Sequence, residues 1–95
     1  MLSVAQMGKT STGHGGYAPV PSVMGASTVF VNGIPALRQT DAFAVHCVGP
    51  SCHFGTVQMG SSSVYCEGLE LARIGDPINC GDVVSAGSAN VFAGD

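Results

Sequence analysis

The chain has few nitrogen and sulfur donors, and they cluster. Of its three histidines and four cysteines, His46, Cys47, Cys52 and His53 all fall within the stretch DAFAVHCVGPSCHFG, Asp41 to Gly55. The remainder are His14, Cys66 and Cys80. Imidazole and thiolate are the donors that borderline-soft metal ions prefer, and thiols can instead pair as disulfides. The opening residues MLSVAQMGKTS carry neither a basic region nor an apolar run. No signal peptide is therefore expected, and a cytoplasmic setting, where thiols stay reduced, follows as an expectation. In that setting cysteine beside histidine reads as a metal site rather than as a disulfide framework.

The segments that must position these donors repeat. Gly25-Ala-Ser-Thr-Val-Phe-Val-Asn-Gly33 matches Gly60-Ser-Ser-Ser-Val-Tyr-Cys-Glu-Gly68, and both match Gly87-Ser-Ala-Asn-Val-Phe-Ala-Gly-Asp95. Each copy places valine and then an aromatic ring at the same two positions: Val29 and Phe30, Val64 and Tyr65, Val91 and Phe92. Asn32-Gly33 is a type I′ hairpin signal, because both turn positions need positive φ. Beyond the turn, Ile34 to Asp41 aligns with Leu69 to Asp76. The third copy stops at Asp95, and Leu2 to Lys9 fits the missing frame. The first strand is therefore expected to pair with the last, near Leu2 to Met7 and Ser88 to Ala93. That pairing closes two edges that would otherwise expose unpaired backbone. The expected fold is all-β: a small closed unit of three hairpins related by a pseudo-threefold axis, one domain over residues 1–95 without an extension.

Each hairpin leads into a loop. His14 lies five residues after Lys9, His46 five after Asp41, and Cys80 four after Asp76. The second loop is longer and adds His53. Equivalent loops thus bring His14, His46, His53 and Cys80 to one end of the axis, where an N/S tetrahedron suits one structural Zn²⁺ per chain. Two alternatives stay open. Cys47 and Cys52 could pair across the loop, or Cys47 could replace Cys80. Cys66, in the strand position of Val31, reads as a small packing residue.

Composition narrows the function. Only 9% of residues are charged, 45% are hydrophobic, and mean hydropathy is +0.35. A chain of this size cannot bury so much apolar surface alone, so a partner is expected to cover some of it. One lysine, two arginines and a net charge of −3 exclude phosphate-tracking nucleic-acid binding and polybasic membrane attachment. Fourteen glycines and five prolines leave no helical periodicity, and no apolar run is long enough to cross a membrane as a helix. Gly8-Lys9-Thr10-Ser11 is no phosphate loop, since Ser3 stands where the motif needs glycine and Gly13, Gly15 and Gly16 oppose a following helix.

Pro35-Ala36-Leu37-Arg38 and Glu70-Leu71-Ala72-Arg73, with their preceding Gly-x-x-x-Val strands, resemble the Pro-Ala-Ala-Arg motif of the PAAR-repeat proteins. The motifs depart from the pattern, one reading PALR and the other ELAR. The resemblance implies a small conical protein that caps a homotrimeric spike, either VgrG of type VI secretion or the spike of a phage tail, one copy per trimer. It implies zinc near the sharp tip held by three histidines and a cysteine, which on matching positions are His14, His46, His53 and Cys80. The threefold repeat then points to docking through Val29, Phe30, Val64, Tyr65, Val91 and Phe92, and the resemblance also implies contact with a target membrane, attachment of effector proteins, and residence in the cytoplasm before firing. No catalysis and no small-molecule substrate are expected.

Two other function classes compete. A zinc hydrolase needs an open coordination position and a general base. No His-Glu-x-x-His occurs, and Glu67 and Glu70 sit in a hairpin away from the ligand loops. A generic zinc-stabilised binding module differs from a spike tip only in the symmetry of its partner. Arg38 and Arg73 are expected to contact turn carboxylates, and Asp41 and Asp76 to be turn residues rather than acids of a reaction.

Overall fold

The computed structural model describes residues 1–94; Asp95, which ends the third copy, lies outside the described residues. All its regular elements are strands: β1 Leu2–Ala5, β2 Phe30–Val31, β3 Ile34–Pro35, β4 His46–Val48, β5 Ser51–His53, β6 Tyr65–Cys66, β7 Leu69–Glu70 and β8 Gly87–Ala93. They form four antiparallel pairs, β1–β8, β2–β3, β4–β5 and β6–β7. The molecule is longer than it is wide, 38 × 23 × 22 Å.

Three of the pairs are the expected repeat. β2–β3 and β6–β7 turn through Asn32-Gly33 and Glu67-Gly68, all four at positive φ, as a type I′ turn requires. The third pair joins the two ends of the chain, Leu2 opposite Ala93 and Ser3 opposite Phe92. In each unit a glycine lies so close to the following strand that a Cβ would collide with it. The nearest carbonyl oxygens would be Ala36 O at 3.2 Å for Gly25, Leu71 O at 2.3 Å for Gly60 and Val4 O at 2.5 Å for Gly87. The glycine that opens each copy is therefore a packing requirement.

A cyclic set of backbone hydrogen bonds ties the units together. Ala5 N–H donates to Ala72 O (2.9 Å), Ala72 N–H to Leu37 O (2.9 Å), and Leu37 N–H to Ala5 O (3.1 Å). Side chains repeat the rotation. Arg38 forks onto Asp41 and reaches Glu67, while Arg73 forks onto Asp76 and reaches the Gly94 carbonyl. Gln6, at the equivalent place in the first unit, donates to the Val31 carbonyl and to Asn32 Oδ1. The turn carboxylates expected for Arg38 and Arg73 are thus their partners.

The core has two layers. Val4, Ala36 and Leu71, one from each unit, join Val31, Cys66, Ala93 and Ala26 in the layer next to the hairpins. Their chain neighbours Ala5, Leu37 and Ala72 join Phe43, Val57, Ile78 and Val84 in the second layer, and Cys80 packs against its edge. Cys66 is buried, and that burial pushes its thiol above the usual range, in keeping with a packing role.

Candidate metal centre

Beyond the second layer the three loops differ in length while starting alike. Ser11, Phe43 and Ile78 donate their N–H groups to Val20, Gly55 and Asp82. The third loop is the shortest and brings in Cys80. The first folds back between His14 and Tyr17, whose backbones exchange hydrogen bonds of 3.0 and 2.6 Å. The second is the β4–β5 hairpin, in which His46 stands directly opposite His53.

These elements bring all four expected ligands together. The donor atoms of His14, His46, His53 and Cys80 lie within 4.8 Å of one another. The three histidine Nε2 atoms are 3.3 Å (14 to 46), 3.0 Å (14 to 53) and 2.8 Å (46 to 53) apart. Donors about 2.0–2.1 Å from one tetrahedral centre lie about 3.3 Å from each other. His46 Nδ1 is 2.8 Å from the Ala18 carbonyl, an acceptor only, so Nδ1 holds the proton and Nε2 turns a lone pair inward. Burial and the neighbouring His46 and His14 rings push His53 below its usual range. Converging imidazole nitrogens beside a cysteine sulfur are what a metal cation satisfies, and the residues fit one.

Three neighbours of the ligands are not evident from sequence. Tyr17 lies over the histidines, its ring centroid 4.1 Å from that of His53, 4.9 Å from His46 and 5.0 Å from His14. Its hydroxyl is 2.9 Å from Ser51 Oγ, which ties the first loop to the hairpin. Asp82, 2% exposed, binds the first loop to the third: Oδ1 accepts from Thr12 Oγ1 (2.8 Å), Gly13 N–H (2.7 Å) and Val83 N–H (3.0 Å). Burial pushes its carboxyl up, and hydrogen bonds from Ser11, Thr12, Val83 and Gly13 outweigh that and hold it below the usual range. Gly55 leaves the room that Cys80 occupies; a Cβ there would lie 2.7 Å from Cys80 Sγ. A glycine outside any turn was the one available signal for such a close approach.

The expectation of reduced thiols needs correction. Cys47 and Cys52 are joined in a disulfide, and the free cysteines are Cys66 and Cys80. The pair sits at directly opposed positions of an antiparallel hairpin, which brings the two sulfurs together. Cys47 faces away from His46 along the strand, so it does not take the place of Cys80.

Of the six expected docking residues, Phe30, Tyr65 and Phe92 are well exposed, at 57%, 60% and 49%, and Val29 and Val64 are partly so. Val91 is different: half-buried, it packs against the first core layer. Glu67 and Glu70 are engaged within the hairpin region. Glu67 accepts from Ser27, Thr28 and Arg38, and Glu70 from the Gly60 N–H.

A comparison with curated proteins returned no match. Residues 8–86 match the PAAR motif, which spans most of the chain, including all three ligand loops and two of the three hairpins. The closed three-unit fold and the four converging donors agree with that match, and the chain belongs to the PAAR-motif family.

Proposed function

We propose that this protein is a zinc-stiffened tip that seats as a single copy on a homotrimeric spike, of the VgrG or phage-tail kind. The family is one of structural proteins at the spike tips of type VI secretion and contractile-tail machines. The observation that carries the finer reading is the hydrogen-bonded ring of Ala5, Leu37 and Ala72. One chain repeats a single surface three times about an axis, which is what a partner with three identical ends requires. Phe30, Tyr65 and Phe92 recur once per unit on the hairpins and supply exposed apolar anchors for that contact.

Zinc is the metal that the three-nitrogen, one-sulfur set favours, held by His14, His46, His53 and Cys80. When bound, it supplies a rigid cross-link between three loops. Four protein ligands fill a tetrahedron, and the carboxylate of Asp82 is committed to loop donors, which supports a structural rather than a hydrolytic role. In this reading the protein assembles on its spike in the cytoplasm and leaves with it on firing. The metal end then meets the target membrane first, and effectors ride on the assembly.

Native mass spectrometry with a candidate spike trimer tests the proposal. One copy per trimer is expected, and Tyr65→Asp should weaken the complex without loss of bound zinc. Three copies per trimer, or equal binding to a monomeric partner, would overturn it in favour of a generic binding module.

A further inference from the structure

The β4–β5 hairpin is cross-linked twice at adjacent rungs. His46 opposes His53 on one rung and Cys47 opposes Cys52 on the next, followed by Val48 opposite Ser51 and the Gly49-Pro50 turn. The first rung supplies two of the four metal ligands, and the second is a disulfide. Side chains on successive rungs point to opposite faces. The imidazoles therefore turn toward His14 and Tyr17, while Cys47 and Cys52 are both exposed to solvent. A hairpin of three rungs is marginal in water by itself. Besides the convergence of the ligand atoms, the hairpin is tied to the first loop by Tyr17 Oη to Ser51 Oγ, by His46 Nδ1 to the Ala18 carbonyl, and by the Tyr17 ring against His46 and His53.

We propose that the Cys47–Cys52 pair is a reversible thiol–disulfide site whose oxidation state sets how tightly the metal is held. The disulfide keeps the two strands in register and so holds the Nε2 atoms of His46 and His53 at bonding distance before a metal arrives. Reduction frees the strands, and metal binding must then order them. The released thiols lie on the outer face, so they cannot enter the ligand set without a register shift that would also turn both histidines outward. Cys66 is buried in the first core layer and Cys80 faces the ligand cluster, so exchange is confined to the exposed pair. The chemistry is ordinary exchange with a protein or small-molecule disulfide: two Cys S–H bonds break, the Cys47–Cys52 S–S bond forms, and the oxidant takes two electrons and two protons to leave as two thiols. The coupling is reciprocal. If oxidation tightens metal binding by some factor, bound metal favours the disulfide by the same factor. Supporting groups around metal ligands are typically worth about 10–100-fold in affinity, and the disulfide is expected to fall in that range.

The inference rests on the metal reading above, so the test measures zinc stoichiometry and affinity separately. The full-length chain is titrated with Zn²⁺ against a chromogenic chelator in three forms: oxidised, reduced, and the Cys47→Ser/Cys52→Ser variant. The expected result is one zinc per chain in the oxidised form, with binding about 10–100-fold weaker in both others. Equilibration in glutathione buffers with and without zinc should show the matching shift in the disulfide fraction. Equal affinity in all three forms, or a glutathione equilibrium indifferent to zinc, would overturn the proposal while leaving the metal site standing. Four thiols per chain, counted in denaturant after treatment with glutathione disulfide, would overturn it as well. An oxidised chain that binds no zinc would overturn the metal reading and this inference together.

Discussion

Replacing Gly55 with alanine should release the metal by displacing one ligand that the substitution leaves chemically intact. The added methyl would lie 2.6 Å from Ile78 Cγ2, 2.7 Å from Cys80 Sγ and 3.0 Å from Cys80 Cβ. An unstrained carbon contact is about 3.5–4.0 Å, so about 1 Å of room must be found. Ile78 is 2% exposed within the second core layer and has nowhere to go, so Cys80 must yield. A metal–sulfur bond of about 2.3 Å tolerates errors of about 0.2 Å, far less than the displacement required. Overpacking of this kind costs about 1–3 kcal/mol, which corresponds to zinc affinity about 5- to 150-fold weaker. The assay is competition with a chromogenic chelator, alongside thermal melts with and without zinc. In a Cys80→Ser background the same glycine substitution should add little, because the two act on one bond. Full zinc affinity in Gly55→Ala, or full additivity with Cys80→Ser, would refute the argument.

Removing either motif arginine should hurt folding. Asp76 is 5% exposed and Asp41 is fully buried, so Arg73→Met and Arg38→Met each leave a buried carboxylate without its guanidinium and should each cost about 3–5 kcal/mol in urea unfolding. An unchanged urea midpoint in either variant would contradict this. Glu67 makes folding acid-sensitive: hydrogen bonding, chiefly from the Thr28 side chain, lowers its carboxyl from 4.5 to about 2. Its contribution is complete above the ordinary value and is lost as pH falls from 4.5 toward about 2, so Glu67→Gln should flatten the stability profile in that window. An unchanged profile would count against it. Deleting residues 1–7 removes the buried Val4, Ala5 and Gln6, breaks the hydrogen-bonded ring and leaves β8 as an open edge. Aggregation by size-exclusion chromatography is expected, and a monomer with an unchanged melting temperature would argue against closure.

The repeat was legible because it is local. Val29-Phe30 and Val64-Tyr65 stand at the same distance from a turn, and a type I′ turn admits few residues, so Asn32-Gly33 announces its hairpin. Closure of the chain followed from the same register, since Leu2 to Lys9 fits the frame the third copy lacks. His14, His46 and Cys80 were legible for a related reason: equivalent loops on equivalent hairpins must end near one axis.

What the sequence could not supply depends on which atoms face each other across chain segments far apart in number. Tyr17 and Asp82 touch the metal loops only after those loops have met. The role of Gly55 is defined by a sulfur on another loop, not by its own backbone. Val91 shares the repeat position of Val29 and Val64, yet it packs inward against the first core layer. The disulfide shows the division most plainly. The expected cytoplasmic setting argued for free thiols, while the antiparallel register of Cys47 and Cys52 decides that the two sulfurs meet. Residue types and their spacing determine which units form and which donors they carry, because turns and strand periodicity act within a few residues. Facing, contact and pairing are decided by the closed fold, because they depend on distances that exist only once the three units have been brought around one axis.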